Sequence, residues 1–436
     1  MKILKFGGTS VGSSERIRSL LPIINSGERK IVVFSAMSGT TNVLTDVADA
    51  VTRGDFRSAA EMRDELKERY RRVIGELFST TDSQEMAERA VEPHFRSMIP
   101  NQEMGVSGGA DKIIMAQGEL ITTQLINMFL NESGVNSYHM PALNYMRVDK
   151  DGDPDYYYIS ENIVREMARG CNSNTIVTEG YICRNAFGET DNLKRGGSDY
   201  TASIIGSVIG ATEVQIWTDI SGFRNNDPRY VDNTSIIREL SFDEAAELAY
   251  FGAKILHPST INPARMKGIP VVLKNSMEPD DPGTVISSAS VTAEYKAVAA
   301  KDSITVIRIT SGRMLMSYGF MRKVFEIFEL YRTPIDMVAT SEVSLSLTVD
   351  MHDNMEQIKG ELSRLGNVEI EHDQTIICVV GDFRPEVTGA APEIFQALNR
   401  FPVKMISYGA SPNSISIIID SKDKEMALRE LHQSIF

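Results

Sequence analysis

The chain is 436 residues long, 42% apolar and 24% charged, with 59 acidic against 45 basic side chains and a formal net charge of -14. That length exceeds what one hydrophobic core usually supports, so two or three domains are expected. The acidic surplus argues against nucleic acid or an anionic membrane as a partner, because phosphate-rich surfaces attract net-basic faces, and any anion must be held locally. Cys171, Cys183 and Cys378 are odd in number, far apart and outside any CxxC, which fits a reducing cytoplasm better than a disulfide framework. The start MKILKFGG has too little apolar sequence for a signal peptide, and no run of about 18 apolar residues follows. Six scattered histidines show no zinc-site spacing.

Along the chain, Ile3 to Phe6 reads as a short strand broken by Gly7-Gly8. Ile17, Leu20, Leu21 and Ile24 then recur at helical spacing, with Pro22 expected to kink or shorten that helix. Ile31 to Phe34 is the β-branched and aromatic run of a strand covered on both faces, ending in Ser35-Ala36-Met37-Ser38-Gly39. From about 43 to 110 the sequence is helical and charged, suggesting a helical lobe. Thr175 to Thr178 and Val214 to Trp217 are further strands followed by polar clusters. In a doubly wound α/β sheet ligands bind beyond the carboxyl ends of the strands, so the clusters after strands at 3, 31, 175 and 214 would share one edge.

After Gly283-Thr284 the pattern changes. "VFEIFELYRTPIDMVATSEVSLSLTVD" and "PEIFQALNRFPVKMISYGASPNSISIIID" share one plan: amphipathic helix, proline, strand, polar turn and alternating strand. Pro334 and Pro402 are spaced by about the size of a βαββαβ module, so two copies form a separate C-terminal region.

Several clusters could carry chemistry, and each has a plainer structural reading. Gly7 and Gly12 have Walker-like spacing, but the lysine, Lys5, lies upstream. A strand lysine before a Gly-Gly turn places its ammonium over the N–H groups of Gly8, Thr9 and Ser10, a grip for phosphoryl oxygens; the plain alternative is a hairpin turn. In "LKRGGSDYTA" Arg195 offers a fork for a carboxylate, while Ser198 or Asp199 could simply cap a helix. Ser35 and Thr41 lie in what could be an ordinary loop, and Asp219 and Arg229 in what could be a turn-rich one. Glu119 opens an apolar helix in "AQGELITTQLI", where an acid would favour the dipole, and Lys254 could be a surface lysine.

Taken together and in order, these motifs are specific. KFGGTSVG at 5–12, SAMSGTTN at 35–42, GE at 118–119, RGGSDYTA at 195–202, WTDISGF and DPR between 217 and 229, FGAKILHP at 251–258 and PGT at 282–284 lead into SEVSLSLTVD and MISYGAS. The chain resembles the aspartokinases of the amino-acid kinase family nearly end to end. The resemblance implies a three-layer α/β fold, a mostly parallel sheet with helices on both faces, over residues 1–295, then a regulatory pair of ferredoxin-like ACT modules over 296–436. It implies that Lys5 contacts the transferred phosphate and that Gly7, Gly8, Thr218, Asp219, Arg229 and Lys254 hold ATP. Arg224 falls in the same nucleotide loop, where relatives carry Tyr. Ser35, Thr41, Glu119, Arg195 and Ser198 would hold L-aspartate, and Asp199 would organise the lysine and glycine loops. Mg2+ would be carried by ATP. Lys194 replaces a usual glycine.

The tail resembles the lysine-sensitive branch, which implies an effector pocket from Met314, Ser317, Gly319, Asp336, Thr340, Ser341 and Glu342, with Asp336 or Glu342 neutralising an amine. Met316 and Tyr318 interrupt the family's HSRGF pattern. A homodimer or homotetramer through the ACT modules is implied, with no fused homoserine dehydrogenase. The expected reaction is 4-phosphorylation of L-aspartate by ATP. The alternatives are another amino-acid kinase such as a glutamate 5-kinase, a non-catalytic amino-acid sensor, and a tail that dimerises without a ligand.

Overall fold

The computed structural model describes all residues except 100–108, 194–195, 253–255, 290–292, 316–317 and 351–352. They form two compact units, Met1–Phe223 with Leu256–Ser290, and Arg224–Ile255 with Val291–Phe436.

In the first unit the apolar runs become a sheet ordered Ser137–His139, Thr175–Glu179, Lys30–Phe34, Lys2–Phe6, Glu213–Thr218, Val271–Asn275 and Thr284–Ser287. Neighbours are parallel up to Val271–Asn275, and the last strand is antiparallel. Burial explains the composition: every residue of Lys30–Phe34 is buried, as a strand covered on both faces requires. Even Lys30 is enclosed, its ammonium donating to the Ile24 carbonyl at 2.7 Å and Ser26 Oγ at 2.5 Å. Phe6 stacks between Phe34 and Trp217, each 5.8 Å away, locking the three central strands together.

The first helical stretch divides into Ser14–Ser19 and Leu21–Ile24, with Pro22 in the first turn of the second piece, where its missing N–H is tolerated. Helices Thr40–Thr52, Phe56–Leu77 and Thr81–Ser97 make the expected lobe; Asp55 and Thr80 cap the latter two. Helix Ala110–Glu132 is long and apolar enough to cross a membrane by length and composition, but 67% of its apolar window is buried within the fold. It begins well before Glu119, which therefore lies in the helix interior. The expected helix-dipole role for that acid is corrected: the dipole acts within the first turn.

The second unit has a six-stranded sheet ordered Val338–Thr340, Ser344–Val349, Tyr295–Thr310, Asn367–Gly381, Ser414–Asp420 and Met405–Ser407. All pairs are antiparallel. The two long central strands serve both modules. Their outer halves, Ile307, Ile309, Val368 and Ile370, pack under helices Phe320–Leu330 and Met355–Leu362. Their other halves, Val298, Ile377 and Val379, pack under Ala390–Ala397 and Lys424–Ile435. One module is thus inserted in the other, and the register shift between Lys301 and Ile304 marks the changeover. The division expected at 295 does not anticipate the excursion 224–255, which belongs to this unit. Val231 joins its second core, and helix Phe242–Tyr250 is tied to the long strand by the buried Glu244–Lys296 pair at 2.8 Å.

Candidate active site

Parallel pairing brings the carboxyl ends of Lys2–Phe6, Lys30–Phe34, Thr175–Glu179 and Glu213–Thr218 to one rim. Lys5 sits one residue before the end of its strand, and its ammonium meets Asp199 Oδ1 at 2.7 Å, both side chains mostly buried. Asp199 lies in the first turn of helix Gly197–Ile209. Neither Ser198 nor Asp199 caps that helix; Gly196 is the N-cap at φ 73°, and the Asp199 carboxylate is thereby left for Lys5. Across some 190 residues of sequence, the fold has built one charged pair.

The glycine turn explains itself by contact. A Cβ on Gly7 would come within 3.4 Å of Lys5 Nζ, and one on Gly8 within 2.8 Å of the Ala36 carbonyl. The Gly7 N–H donates to the Trp217 carbonyl at 3.1 Å and that of Ser10 to the Gly7 carbonyl at 2.9 Å. Ser10 is therefore spent inside the turn, which corrects the expected set of donors. The N–H groups of Gly8 and Thr9 have no partner among the described residues, so of the expected donors these two and Lys5 remain. Ser10 Oγ meets Ser276 Oγ at 2.8 Å, and the Ser276 N–H donates to the Thr218 carbonyl at 2.9 Å, closing the rim on that side. Thr218 donates to Asp219 at 3.1 Å, and Asp219 is exposed.

The loop after Phe34 is held from below. Glu119 Oε1 accepts the Ala36 N–H at 3.2 Å, and Thr122 Oγ1 accepts that of Met37 at 3.2 Å. Tyr70 joins Thr122 to Thr40, each at 3.1 Å. Gly118 permits this approach, since a Cβ there would lie 2.8 Å from that of Ala36. Glu119 is buried, and burial pushes its pKa up to about 8; the Ala36 N–H and Lys5 oppose that shift and Glu179 adds to it. Ser35 is half-buried and Thr41 exposed, at the start of helix Thr40–Thr52. Ser198 is buried beside Gly180, where any Cβ would collide with it. Tyr181 follows at φ 68°, its N–H donating to Thr201 Oγ1 at 3.0 Å, a left-handed residue held at the rim.

One rim thus collects Lys5, Gly7, Gly8, Ser35, Glu119, Ser198, Asp199, Thr218 and Asp219, with Thr41 just behind. Arg195, Lys254 and Lys194 lie outside the described residues. Arg224 and Arg229 belong to the second unit: Arg224 donates to the Thr234 carbonyl at 2.8 Å, and Arg229 pairs with Asp227 at 2.6 Å. Thr122, Tyr70, Glu179 and Gly180 were not singled out from sequence, although Gly180 directly follows a buried strand that closes on an acid.

Of the candidate effector residues, Asp336 is the most enclosed. Its Oδ1 takes Lys301 Nζ at 3.0 Å and the Tyr250 hydroxyl, while Oδ2 is buried without a hydrogen-bond partner. Lys301 also reaches Asp350 at 3.0 Å and lies over the Tyr250 ring. Gly319, at φ 79°, precedes helix Phe320–Leu330, and Met314 packs on the first module's core. Thr340, Ser341 and Glu342 are exposed, and Ser317 and Met316 lie outside the described residues.

Residues 1–275 match the model of the amino acid kinase family, and 377–435 match an ACT domain model. Lysine-sensitive aspartokinase 3 of Escherichia coli (strain K12) is 31% identical over 447 residues, covering 100% of this chain and 99% of that protein. Chloroplastic aspartokinase 2 of Arabidopsis thaliana is 33% identical over 462 residues, covering 100% and 84%. The E. coli aspartokinase III structure with aspartate and ADP, described as the R-state, superposes with a TM-score of 0.80 at 30% identity over the full length of both chains. The Clostridium acetobutylicum aspartate kinase structure does so with a TM-score of 0.87 at 26% identity, again over the full length of both. The chain belongs to the amino acid kinase family, on its aspartokinase branch.

Proposed function

We propose that the chain transfers the γ-phosphoryl group of ATP to the side-chain carboxylate of L-aspartate, giving 4-phospho-L-aspartate and ADP at the head of lysine, threonine and methionine synthesis. The Lys5–Asp199 pair beside the open N–H groups of Gly8 and Thr9 carries this reading. A carboxylate of ordinary pKa, about 3.9, is already ionised at neutral pH, so its attack on phosphorus needs no general base. The site's task is to hold two anions in line. Lys5 would follow the transferred group, Asp199 would fix Lys5, and Gly7, Gly8, Thr218 and Asp219 would line the nucleotide, with Arg224, Arg229 and Lys254 as further nucleotide contacts. Arg195 and Ser198 would take the α-carboxylate, Ser35 and Thr41 would frame the substrate, and ionised Glu119 would accept the α-ammonium. Mg2+ arriving on the triphosphate would supply charge neutralisation through the oxygen ligands it prefers.

The E. coli aspartokinase III structure with lysine and aspartate, described as the T-state, matches over 100% of this chain with a TM-score of 0.83 at 30% identity, and supports lysine as the effector. We place its ammonium against Asp336 or Glu342, with Met314, Ser317, Gly319, Thr340 and Ser341 around it, in an enzyme that is cytoplasmic and dimeric or tetrameric through its ACT modules. Hydroxylamine trapping of the acyl phosphate tests the reaction: aspartate should give hydroxamate, and glutamate and N-acetylaspartate should not. Equal product from glutamate would favour another amino-acid kinase, and no product from any of them a sensor.

A further inference from the structure

Glu179 is the last residue of a wholly buried strand and is itself fully buried, yet no role in holding substrate falls to it. His139 pairs across the sheet with Val177, so Glu179, two residues on, shares its face. The His139 Nε2 contacts Glu179 Oε1, and Oε2 accepts the Ala142 N–H at 2.7 Å. His139 keeps about a quarter of its side chain exposed, so the pair reaches from solvent to the fully buried end of the strand.

We propose that Glu179, held by His139, is a positioning residue whose charge sets how readily Glu119 receives the ammonium of the incoming amino acid. This rests on Glu119 as the ammonium acceptor. Glu179 lies level with Phe34 in the sheet, and Phe34 is two residues before Ala36, whose N–H Glu119 accepts at 3.2 Å, so both carboxyl groups serve the same stretch of the rim. There Glu179 disfavours the ionised form of Glu119 and Lys5 favours it. The hydroxyls of Tyr70 and Tyr181 complete its titratable surroundings. Around the pair stand Tyr145, whose hydroxyl meets Thr178 Oγ1 at 2.7 Å, and Glu166, engaged with Arg169 and Tyr138 on the opposite face of the strand. Burial works against a charge on His139, but the Glu179 carboxylate outweighs it, so the imidazole stays protonated to higher pH than usual. A protonated His139 screens Glu119 from Glu179, and a neutral one unmasks the repulsion.

The test is the pH profile of aspartate KM for wild type, E179Q, H139Q and E119Q, with kcat and the melting temperature measured alongside. Glutamine at 179 keeps an acceptor for Ala142. E179Q should lower aspartate KM about threefold to tenfold near pH 7 and move its acid-side rise to lower pH, as expected for a pKa shift of up to about one unit. H139Q should move the rise to higher pH. Both changes should fall on KM rather than on kcat. An E179Q profile that is unmoved or displaced to higher pH overturns the proposal, and an H139Q profile that follows E179Q overturns the part given to His139. If E119Q leaves aspartate KM unchanged, the ammonium assignment itself fails; if E119Q raises it while E179Q and H139Q do nothing, only the role of the pair fails.

Discussion

The two sheets handle charge in opposite ways. In the first unit the strands are parallel and buried, and the charged groups gather where the strands stop, around a turn whose backbone is laid open by two glycines. In the second the strands are antiparallel, and the central cation, Lys301, sits at a bulge partway along a strand, already shared between Asp336 and Asp350. A parallel sheet leaves converging strand ends as ready sites, whereas in the antiparallel sheet a ligand must displace partners already in place. Catalysis suits the first and switching the second.

The largest effect separating the two should come from Lys5→Ala, which removes the ammonium held by Asp199 beside the glycine turn. Turnover measured by ADP release should fall by about 100-fold to 1,000-fold, the range for losing one aligned charge donor. Gly8→Ala forces a Cβ against the Ala36 carbonyl; the melting temperature should drop, at a cost of about 1–3 kcal/mol, and turnover with it. In the second sheet, Asp336→Asn should bring the ratio of activities with and without lysine to one. Tyr250→Phe removes a competitor for that carboxylate, so half-inhibition should need about twofold to fivefold less lysine, in proportion to one hydrogen bond. A shift to higher lysine would show that the tyrosine helps hold the effector.

The last effect is on stability and depends on pH. Burial raises Glu119 to about 8, so the folded protein keeps a proton that the unfolded chain releases near 4.5. Its contribution is fully present below the unfolded pKa and is lost as pH rises from about 4.5 to about 8. Glu119→Gln should therefore melt higher than wild type at about pH 9, and the difference should vanish in acid.

Much of the first sheet was legible because its strands are short apolar runs that stop at glycine or polar residues, and the helical lobe because its composition is helical and charged. The sequence places Glu119 at a helix start, but Gly118 lies inside the helix, where its missing Cβ admits Ala36, and the helix runs through. Ser10 was expected to grip an anion, but the hydrogen bond that closes its own turn outcompetes that use. The membership of 224–255 in the second unit depends on pairs such as Glu244–Lys296, 52 residues apart, which no local pattern encodes. In the sequence Glu179 is one polar residue after the run Thr175 to Thr178, and only the neighbouring strand, supplying His139, shows that it is more.

The most direct measurement is a double-mutant cycle of Lys5→Ala and Asp199→Asn on turnover with saturating ATP and aspartate. If Asp199 acts by holding Lys5 at the transferred phosphate, each single variant loses most of the activity and the double variant is scarcely worse than Lys5→Ala. Strictly additive losses, or a Lys5→Ala enzyme with full turnover, would contradict it.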